Sequence, residues 1–447
     1  MELTSEHWFQ LNLAAALAVL AFIAVYTAPI KWVVLALIII LPFQIISSRY
    51  GSFNIYLIYL VSFVFIIRGQ LREFPLIYYV FFIALAYFIS FSFVLPVTRG
   101  DHLLYLFFIG SNFLIFYISY NYFKYKSNEK DFFLIFMVLT GLILLYSLAQ
   151  LIVGMDPNSP LFGEKFGLRP PREDGRLTGP FSAVGLTAEY MVIAIFTLSY
   201  ILVTTKPNLR LRFLIWSMIM ASFAAMIATA NRGAIITLVI CGIFYLLIFR
   251  KELGTRGILQ AVVGIPFAFA LASAIVINFT DFNRLFDRLS ETEVEEGIPD
   301  TRSVVWPLTW ERIQLSPIVG NGPQWKLSEE TYQKRGVLKQ IPMPHNLYLY
   351  IVGTIGVIGL IAYLFFWMRM MYFFYQGAFS QFSENNNGSI PKLALILMAV
   401  FFIDQMKVEF LRSETTEFQH VMFMLWGALL ALSSKSTLRS LSTADHN

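Results

Sequence analysis

Residues 212–249 read RFLIWSMIMASFAAMIATANRGAIITLVICGIFYLLIF. This stretch consists of two apolar runs that are separated only by the turn at 231–233. A transmembrane helix needs about 20 predominantly apolar residues, so the stretch predicts a helical hairpin that crosses a lipid bilayer twice. The runs are continuous rather than alternating, which favours helices over the strands of a membrane barrel.

The whole chain has the composition of a membrane protein. Of its 447 residues, 57% are hydrophobic and 14% are charged, whereas soluble domains carry about 25% charged residues. Similar apolar runs lie at 8–28, 31–48, 53–68, 74–95, 102–123, 132–153, 182–203, 212–230, 233–249, 257–279, 346–370, 391–410 and 418–433. One of the first two could be a half-span. We therefore predict an all-α, polytopic transmembrane helix bundle of about 12 to 13 spans, formed by residues 1–447 as a single transmembrane domain.

Basic residues in the short loops predict the orientation of the bundle. Cytoplasmic loops carry an excess of Lys and Arg, so the basic side is predicted to be cytoplasmic, with the C-terminus on it. The residues concerned are Lys124, Lys126, Lys130, Lys206, Arg210, Arg212, Arg250, Lys251, Arg256, Lys435 and Arg439. The opposite side receives segment 154–181, the turn at 231–233 and one large loop, 280–345. Apolar spacing at 281–289 and 303–315 predicts short amphipathic helices in that loop.

Charge, cysteine content and motifs exclude several classes of function. The net charge of +5 would suggest nucleic acid in a soluble protein, but here the basic loops account for it, and no nucleic-acid partner is expected. The single cysteine, Cys241, excludes a disulfide framework and a cysteine metal cluster and is expected to be a packed apolar residue. The sequence has no Walker A loop, dinucleotide turn or HExxH pair, so we predict no cofactor and no metal.

Two arginines on the side opposite the basic loops are candidate ligands for an oxyanion. Arg232 lies between two apolar runs with almost no loop to carry it into water, and Gly233 beside it would allow a tight turn or a close backbone approach. Arg302 opens the predicted helix 303–315. A guanidinium binds phosphate with a fork of donors. The alternatives are an Arg232 that reaches the lipid head groups and an Arg302 that serves only solubility.

His345 is the histidine best placed for acid/base chemistry. It stands in Pro342-Met343-Pro344-His345-Asn346, where the long loop returns to the membrane. Two prolines stiffen this approach, and a histidine titrates near neutrality and can accept a proton from a hydroxyl group. The alternative is an interfacial histidine bonded to a backbone carbonyl.

Further charged residues are candidates of less defined role. Arg172 and Arg176 precede the run 182–203, and Glu189 lies inside it. Asp404 and Lys407, near the end of the run 391–410, could form a structural ion pair or line a cavity. Ionisable residues at membrane depth are costly, so each of them is a candidate functional residue.

Four motifs in order resemble the bacterial O-antigen ligase and O-antigen polymerase superfamily. They are Asn231-Arg232-Gly233-Ala234, the loop with Arg302, Trp306 and Pro317-Ile-Val-Gly-Asn-Gly322, then Pro344-His345-Asn346-Leu347-Tyr348-Leu349, and Gly353-Thr-Ile-Gly-Val-Ile-Gly359. Arg176-Leu-Thr-Gly-Pro-Phe181 is also similar to the start of that family's preceding helices. The resemblance is specific over about 176–362 and only topological elsewhere.

The resemblance implies a multi-pass enzyme of the bacterial inner membrane whose active site faces the periplasm. Its donor would be a glycan on undecaprenyl diphosphate, and its acceptor a sugar hydroxyl, on lipid A core for a ligase or on another repeat unit for a polymerase. The reaction would be a metal-independent, inverting glycosyl transfer. By similarity, Arg232 and Arg302 would bind the diphosphate and His345 would activate the acceptor. We predict further substrate contacts from Arg172, Arg176, Asn231, Asn346 and Glu189.

Two questions remain open at the level of sequence. Glu189 departs from the neutral residue expected there, and could contact the glycan, orient an arginine or compete with His345 as the base. The alternative class is a polysaccharide or lipid-linked sugar transporter, which would need charges along a midplane pathway. The sequence carries no signal for the acceptor, the sugar or the oligomeric state.

Overall fold

A computed structural model describes residues 19–43, 47–48, 51–94, 99–153, 175–181, 183–280, 294–295, 298–299, 302–322, 343–379, 389–407, 411 and 415–444. Within these residues the chain forms a short 3-10 helix (Gly179–Phe181) and fourteen α-helices. They are α1 (19–27), α2 (Ile30–Ile40), α3 (Phe53–Ile67), α4 (Ile77–Phe93), α5 (Arg99–Tyr125), α6 (Glu129–Val153), α7 (Val184–Thr205), α8 (Leu209–Ala228), α9 (Arg232–Ile248), α10 (Arg250–Phe279), α11 (Arg302–Leu315), α12 (Leu347–Phe379), α13 (Ser389–Gln405) and α14 (Thr416–Ala444).

The β structure among the described residues is confined to two short antiparallel pairs. Strand β1 (Ser47–Ser48) pairs with β2 (Gly51–Ser52), and β3 (Val294–Glu295) pairs with β4 (Ile298–Pro299). Each strand has two residues, too few to form a sheet face. The prediction of an all-α fold is therefore confirmed.

Six of the helices are long and apolar enough to cross a membrane. The candidate spans are His102–Tyr125, Glu129–Ile152, Val184–Thr205, Leu209–Ala228, Gly257–Asn278 and Leu347–Phe379. Four shorter apolar helices, α2, α3, α4 and α9, accompany them. A polytopic helical membrane protein is thus confirmed, while the total of about 12 to 13 spans stays a prediction.

The helix bounds follow the predicted runs with three informative differences. Helix α12 continues to Phe379 and α14 to Ala444, beyond the predicted ends at 370 and 433. The extension of α12 is still mostly apolar, whereas that of α14 is mostly polar. Helix α2 ends at Ile40, short of 48. The predicted amphipathic helix at 303–315 is confirmed as α11, whereas 281–289 lies outside the described residues.

The basic turns lie together at one end of the bundle. Lys435 Nζ, late in α14, donates to Ser127 O in the turn between α5 and α6, at 2.8 Å. Tyr200 Oη, near the end of α7, donates to Glu129 Oε1 at the start of α6, at 3.2 Å. Because α8 and α9 run away from this end and back, the turn between them lies at the opposite end. Which end faces the cytoplasm remains a prediction from the basic loops.

Helix α7 lies at the centre of the bundle. Sixteen of its 22 residues are buried, and it packs against α8, α13 and α9. Because its side chains are buried by other helices on nearly every side, α7 has little surface left to face lipid. Cys241 of α9 is fully buried, which confirms that it is a packed apolar residue.

Helix α12 is broken near its N-terminal end. Gly356 has φ 72° and ψ −176°, which interrupts the helix. In a regular helix the N–H groups of residues 357 and 358 would bond to the carbonyls of residues 353 and 354. Unpaired backbone groups at membrane depth cost several kcal/mol each, so a break there needs replacement partners.

The loop 317–322 supplies those partners. It lies against residues 353–358, and we call this pair of segments the clasp. Gly320 and Gly356 allow the close approach, since a Cβ on Gly320 would lie 2.4 Å from Thr354 O and a Cβ on Gly356 would lie 2.0 Å from Ile318 O. The four bonds run from Val357 N to Pro317 O (2.9 Å), Ile358 N to Ile318 O (3.3 Å), Asn321 N to Gly353 O (2.9 Å) and Gly322 N to Thr354 O (2.9 Å). Two of the four family-like motifs therefore bind each other.

Candidate functional site

Arg232 is the first residue of α9. Ala230 before it is in the left-handed region, with φ 49°, and turns the chain sharply after α8. Asn231 caps α9, since its Oδ1 accepts a hydrogen bond from Ala234 N at 3.2 Å. An Asn cap satisfies one of the free N–H groups of the first turn. Half-buried Arg232 is thus held at the positive end of a helix dipole, where an anion is favoured.

Gly233 was predicted to allow either a tight turn or a close approach of backbone, and the structure gives it a different role. It lies within α9, and the left-handed residue of the turn is Ala230 instead. The close approach is made by a side chain rather than by backbone, because a Cβ on Gly233 would lie 2.6 Å from Lys407 Cδ. The glycine is required because it leaves space for this lysine.

Lys407 follows the end of α13 and its ammonium group lies against the first turn of α9. Lys407 Nζ forms an ion pair with Asp404 Oδ1 and donates to Gly233 O and Thr237 Oγ1, both at 2.6 Å. Thr237 Oγ1 also donates to Asp404 Oδ1 at 2.7 Å. Of the two alternatives predicted for Asp404 and Lys407, the structure contains the ion pair.

Arg302 and Trp306 connect α11 to the same place. The Nη2 atom of half-buried Arg302 donates to Lys407 O at 3.0 Å. Trp306, one helical turn further, donates from Nε1 to Pro344 O at 2.9 Å. Helix α11 thus connects the backbone of Lys407 to that of Pro344, the residue before His345.

His345 is exposed, while the residues on both sides of it are buried. Its backbone is in the left-handed region, with φ 48°. Asn346 caps α12, because its Oδ1 accepts from Tyr348 N and Leu349 N at 3.0 and 3.1 Å, and its Nδ2 donates to Met406 O at 3.4 Å. The backbone of His345 is therefore fixed on both sides while its ring remains accessible.

The segment 404–407 joins the three motifs. Its Lys407 side chain contacts the turn of α9 that begins at Arg232, its Lys407 carbonyl accepts from Arg302, and its Met406 carbonyl accepts from the residue after His345. The three motifs lie on different helices and meet at one end of the bundle, opposite the basic turns. Sequence reasoning identified Lys407 only as a charge at membrane depth, and it missed Met406 because a backbone carbonyl leaves no signal in a sequence.

Glu189 lies in the same region but is fully buried. Its carboxylate accepts from Gln405 Nε2, at 3.1 Å for Oε2 and 3.3 Å for Oε1. Gln405 is part of segment 404–407, so this hydrogen bond connects Glu189 of α7 to that segment. This contact is to an amide and not to an arginine, and the three roles left open for Glu189 stay predictions.

Arg176 lies near the α8–α9 turn. It is half-buried, and Leu177 N donates to Ala228 O, in the last residue of α8, at 3.0 Å. This places Arg176 within a few residues of the chain segment that carries Arg232. Arg172 lies outside the described residues. No group of three or more His, Cys, Asp or Glu side chains is placed to hold a metal ion in the part of the chain that the structure describes.

Comparison with known proteins agrees with the motifs. A family-wide sequence model described as O-Antigen ligase matches residues 213–364, a range that includes Arg232, Arg302, His345 and the clasp. An O-antigen ligase of Salmonella typhimurium strain LT2 is 30% identical over 169 residues. The alignment covers 36% of this chain, and the chain spans 39% of the length of that relative.

The fold and the clustered motifs define a polytopic helical membrane protein with a polar site at one end of its bundle. The two matches confirm the resemblance that the motifs indicated, and they support membership of the O-antigen ligase and O-antigen polymerase superfamily.

Proposed function

We propose that the protein is a glycosyltransferase of the inner membrane that transfers a glycan from undecaprenyl diphosphate to a sugar hydroxyl at the periplasmic face. The observation that carries this proposal is the meeting of Arg232, Arg302 and His345 around segment 404–407. The family match over 213–364 supports a glycosyl-transfer function of this kind. The donor, the acceptor and the side of the membrane are parts of the proposal.

The chemistry assigns a separate task to each group. The acceptor hydroxyl attacks the anomeric carbon of the donor sugar as the bond from that carbon to the phosphate oxygen breaks. The diphosphate leaves with the electron pair, and Arg232 and Arg302 stabilise the negative charge that grows on it. His345 takes the proton of the hydroxyl and later releases it to water. Attack from the face opposite the leaving group inverts the anomeric carbon.

A site at the end of the bundle suits a lipid-linked donor. The isoprenyl chain stays in the bilayer while the diphosphate reaches the membrane surface. Arg232 is the first residue of α9 and His345 is exposed, so an acceptor that arrives from the aqueous side would reach the ring of His345. The positive end of α9 adds to the attraction for the diphosphate.

The ligase reaction, with lipid A core as acceptor, is our first candidate, and polymerisation of O-antigen or exopolysaccharide repeat units is the second. The named relative is an O-antigen ligase, which favours the first. Transport of a lipid-linked sugar is a weaker candidate. Transporters use broken helices to coordinate their cargo, whereas the break in α12 has its backbone groups bonded by loop 317–322.

Glycan profiling of a strain that lacks the gene tests the function. Loss of all long chains from lipid A core, with accumulation of lipid-linked polymer, is the expected result for a ligase. Capping of the core with single repeat units would indicate the polymerase instead. Loss of the long chains with lipid-linked glycan held on the cytoplasmic side would replace the proposal by transport, and an unchanged glycan profile would refute it.

Cysteine labelling tests the predicted side of the site. Cys241 is the one cysteine of the chain and is buried. Maleimide labelling would therefore come from an introduced cysteine and not from Cys241. Leu315→Cys, at the end of α11, and Leu209→Cys, at the start of α8, replace exposed residues at opposite ends of the bundle. A membrane-impermeant maleimide applied to spheroplasts should label position 315 only. Labelling of position 209 alone would place the site in the cytoplasm and contradict the proposal.

A further inference from the structure

Lys407 uses its ammonium group fully inside the protein. An ammonium group has three N–H donors, and Lys407 Nζ has three acceptors, Asp404 Oδ1, Gly233 O and Thr237 Oγ1. No donor is left over for a phosphate. Although Lys407 is a cation beside two arginines, its contacts are those of a group that holds other elements in place.

The same residue holds a second helix through its backbone. Arg302 Nη2 donates to Lys407 O at 3.0 Å, while the Lys407 side chain donates to the carbonyl of Gly233, the neighbour of Arg232. Arg232 and Arg302 are therefore linked through a single residue. A displacement of Lys407 would change the distance between the two guanidinium groups.

We infer that Lys407 is a positioning residue that aligns Arg232 and Arg302 on one diphosphate group. This inference rests on the proposed function, since it names the ligand that the two arginines share. Two forked guanidinium groups stabilise one leaving group only when both are held in the right geometry. Lys407 supplies that geometry without touching the ligand.

The residues around Lys407 compensate for its charge and leave space for its side chain. The N-terminus of α9 is positive, so a lysine beside it is unfavourable on its own. Asp404 compensates for this charge through the ion pair and through Thr237. Gly233 leaves the space that the lysine stem occupies. A cation placed against a helix N-terminus, with an anion and a glycine to accommodate it, indicates a position that matters to the neighbouring residues.

The first test compares Lys407→Met with Lys392→Met. Lys392 lies at the other end of α13 and also forms an ion pair, with Glu252 at 2.6 Å, so both substitutions remove a paired lysine from the same element. In the purified full-length chain we expect Lys407→Met to lower the transfer rate at least tenfold and to raise the inhibition constant of inorganic pyrophosphate. Lys392→Met should leave both near wild type. Equal behaviour of the two variants would overturn the inference.

A double-mutant cycle separates positioning from general structural damage. Arg232→Lys keeps a cation but loses the forked pair of donors, so the transfer rate of this variant should depend less on how residue 232 is aligned. Lys407→Met should therefore reduce the transfer rate by a smaller factor in the Arg232→Lys background than in wild type. Lys407→Arg should restore part of the activity and of the pyrophosphate inhibition. Strictly additive effects, with no rescue by arginine, would show a structural role alone.

A folding defect in Lys407→Met can be kept apart from these results. Removal of one partner of a buried ion pair leaves an uncompensated charge, whereas removal of both does not. The double variant Asp404→Asn/Lys407→Met should fold and still show the raised inhibition constant. Normal inhibition in that variant would overturn the inference. A wild-type chain that transfers glycan but is not inhibited by pyrophosphate would instead refute the diphosphate site, and the alignment role with it.

Discussion

Gly356→Ala is expected to separate loop 317–322 from helix α12. The conformation of Gly356, φ 72° and ψ −176°, lies in a region that is essentially open to glycine alone. An added Cβ would also lie 2.0 Å from Ile318 O and 2.5 Å from Val319 N. Both contacts are to backbone atoms, which cannot rotate away as a flexible side chain can. The loop must therefore move off the helix.

The cost can be worked out from the clasp. The backbone strain accounts for about 1 to 3 kcal/mol. The four hydrogen bonds between the loop and the helix contribute about 1 kcal/mol each, and more where lipid rather than water replaces them. The expected loss of folding free energy is roughly 5 to 7 kcal/mol. Folded proteins are stable by only about 5 to 15 kcal/mol, so the variant should lose a large part of its stability.

Thermal unfolding of the detergent-solubilised protein measures this loss. Gly141→Ala in α6 is a matched control, because no atom beyond its own helix backbone lies within 4 Å of a Cβ at that position, and it should unfold at or slightly above the wild-type temperature. The clasp also fixes α11, which carries Arg302, against α12, which begins two residues after His345. Glycan transfer should therefore fall together with stability. A Gly356→Ala protein that unfolds within a degree or two of wild type would refute the reasoning.

The remaining predictions concern single side chains. Arg302→Ala should abolish glycan transfer in a complemented deletion strain while the protein still accumulates in the membrane. Arg302→Lys should recover only part of the transfer activity, because lysine lacks the forked donors of a guanidinium group. Full activity of the alanine variant would remove Arg302 from the site. His345→Ala should lower kcat much more than it raises KM for the lipid-linked donor, since a base acts on the acceptor hydroxyl; an unchanged kcat would exclude His345 from the chemistry. Burial would raise the pKa of Glu73, in the turn before α4, but hydrogen bonds from Lys124 and Tyr125 outweigh it, so the pKa lies below its ordinary value. The stability that the Glu73 carboxylate contributes is present above the unfolded-state pKa and is lost as the pH falls through the lowered folded-state pKa. The difference in unfolding temperature between wild type and Glu73→Gln should therefore shrink on acidification to about pH 3. A difference that stays constant down to that pH would contradict the prediction.

The fold class followed from the sequence because the requirement behind it is local. In lipid every backbone group must be bonded, and a helix bonds them within its own segment, so an apolar run of sufficient length predicts a spanning helix wherever it occurs. The same holds for α11, whose apolar spacing predicted a helix close to its observed bounds. Helix α2 was harder to bound, since apolar residues continue past Ile40 although the helix ends there.

The sequence also singled out residues that the structure brings together. Arg232 and His345 stood out because a charged or titratable group beside an apolar run is unusual. Their order along the chain indicated a family, which the match over 213–364 supports. Their roles in transfer remain proposals that the variants above test.

Tertiary structure alone decided how these residues are held. Lys407 lies 174 positions from its acceptor Gly233, Gln405 lies 216 positions from Glu189, and the clasp joins segments from two motifs that look separate in sequence. A single sequence records hydropathy and periodicity, which depend on neighbours along the chain. Which distant carbonyl an ammonium group reaches depends instead on how helices pack, and that information appears only when the bundle is assembled.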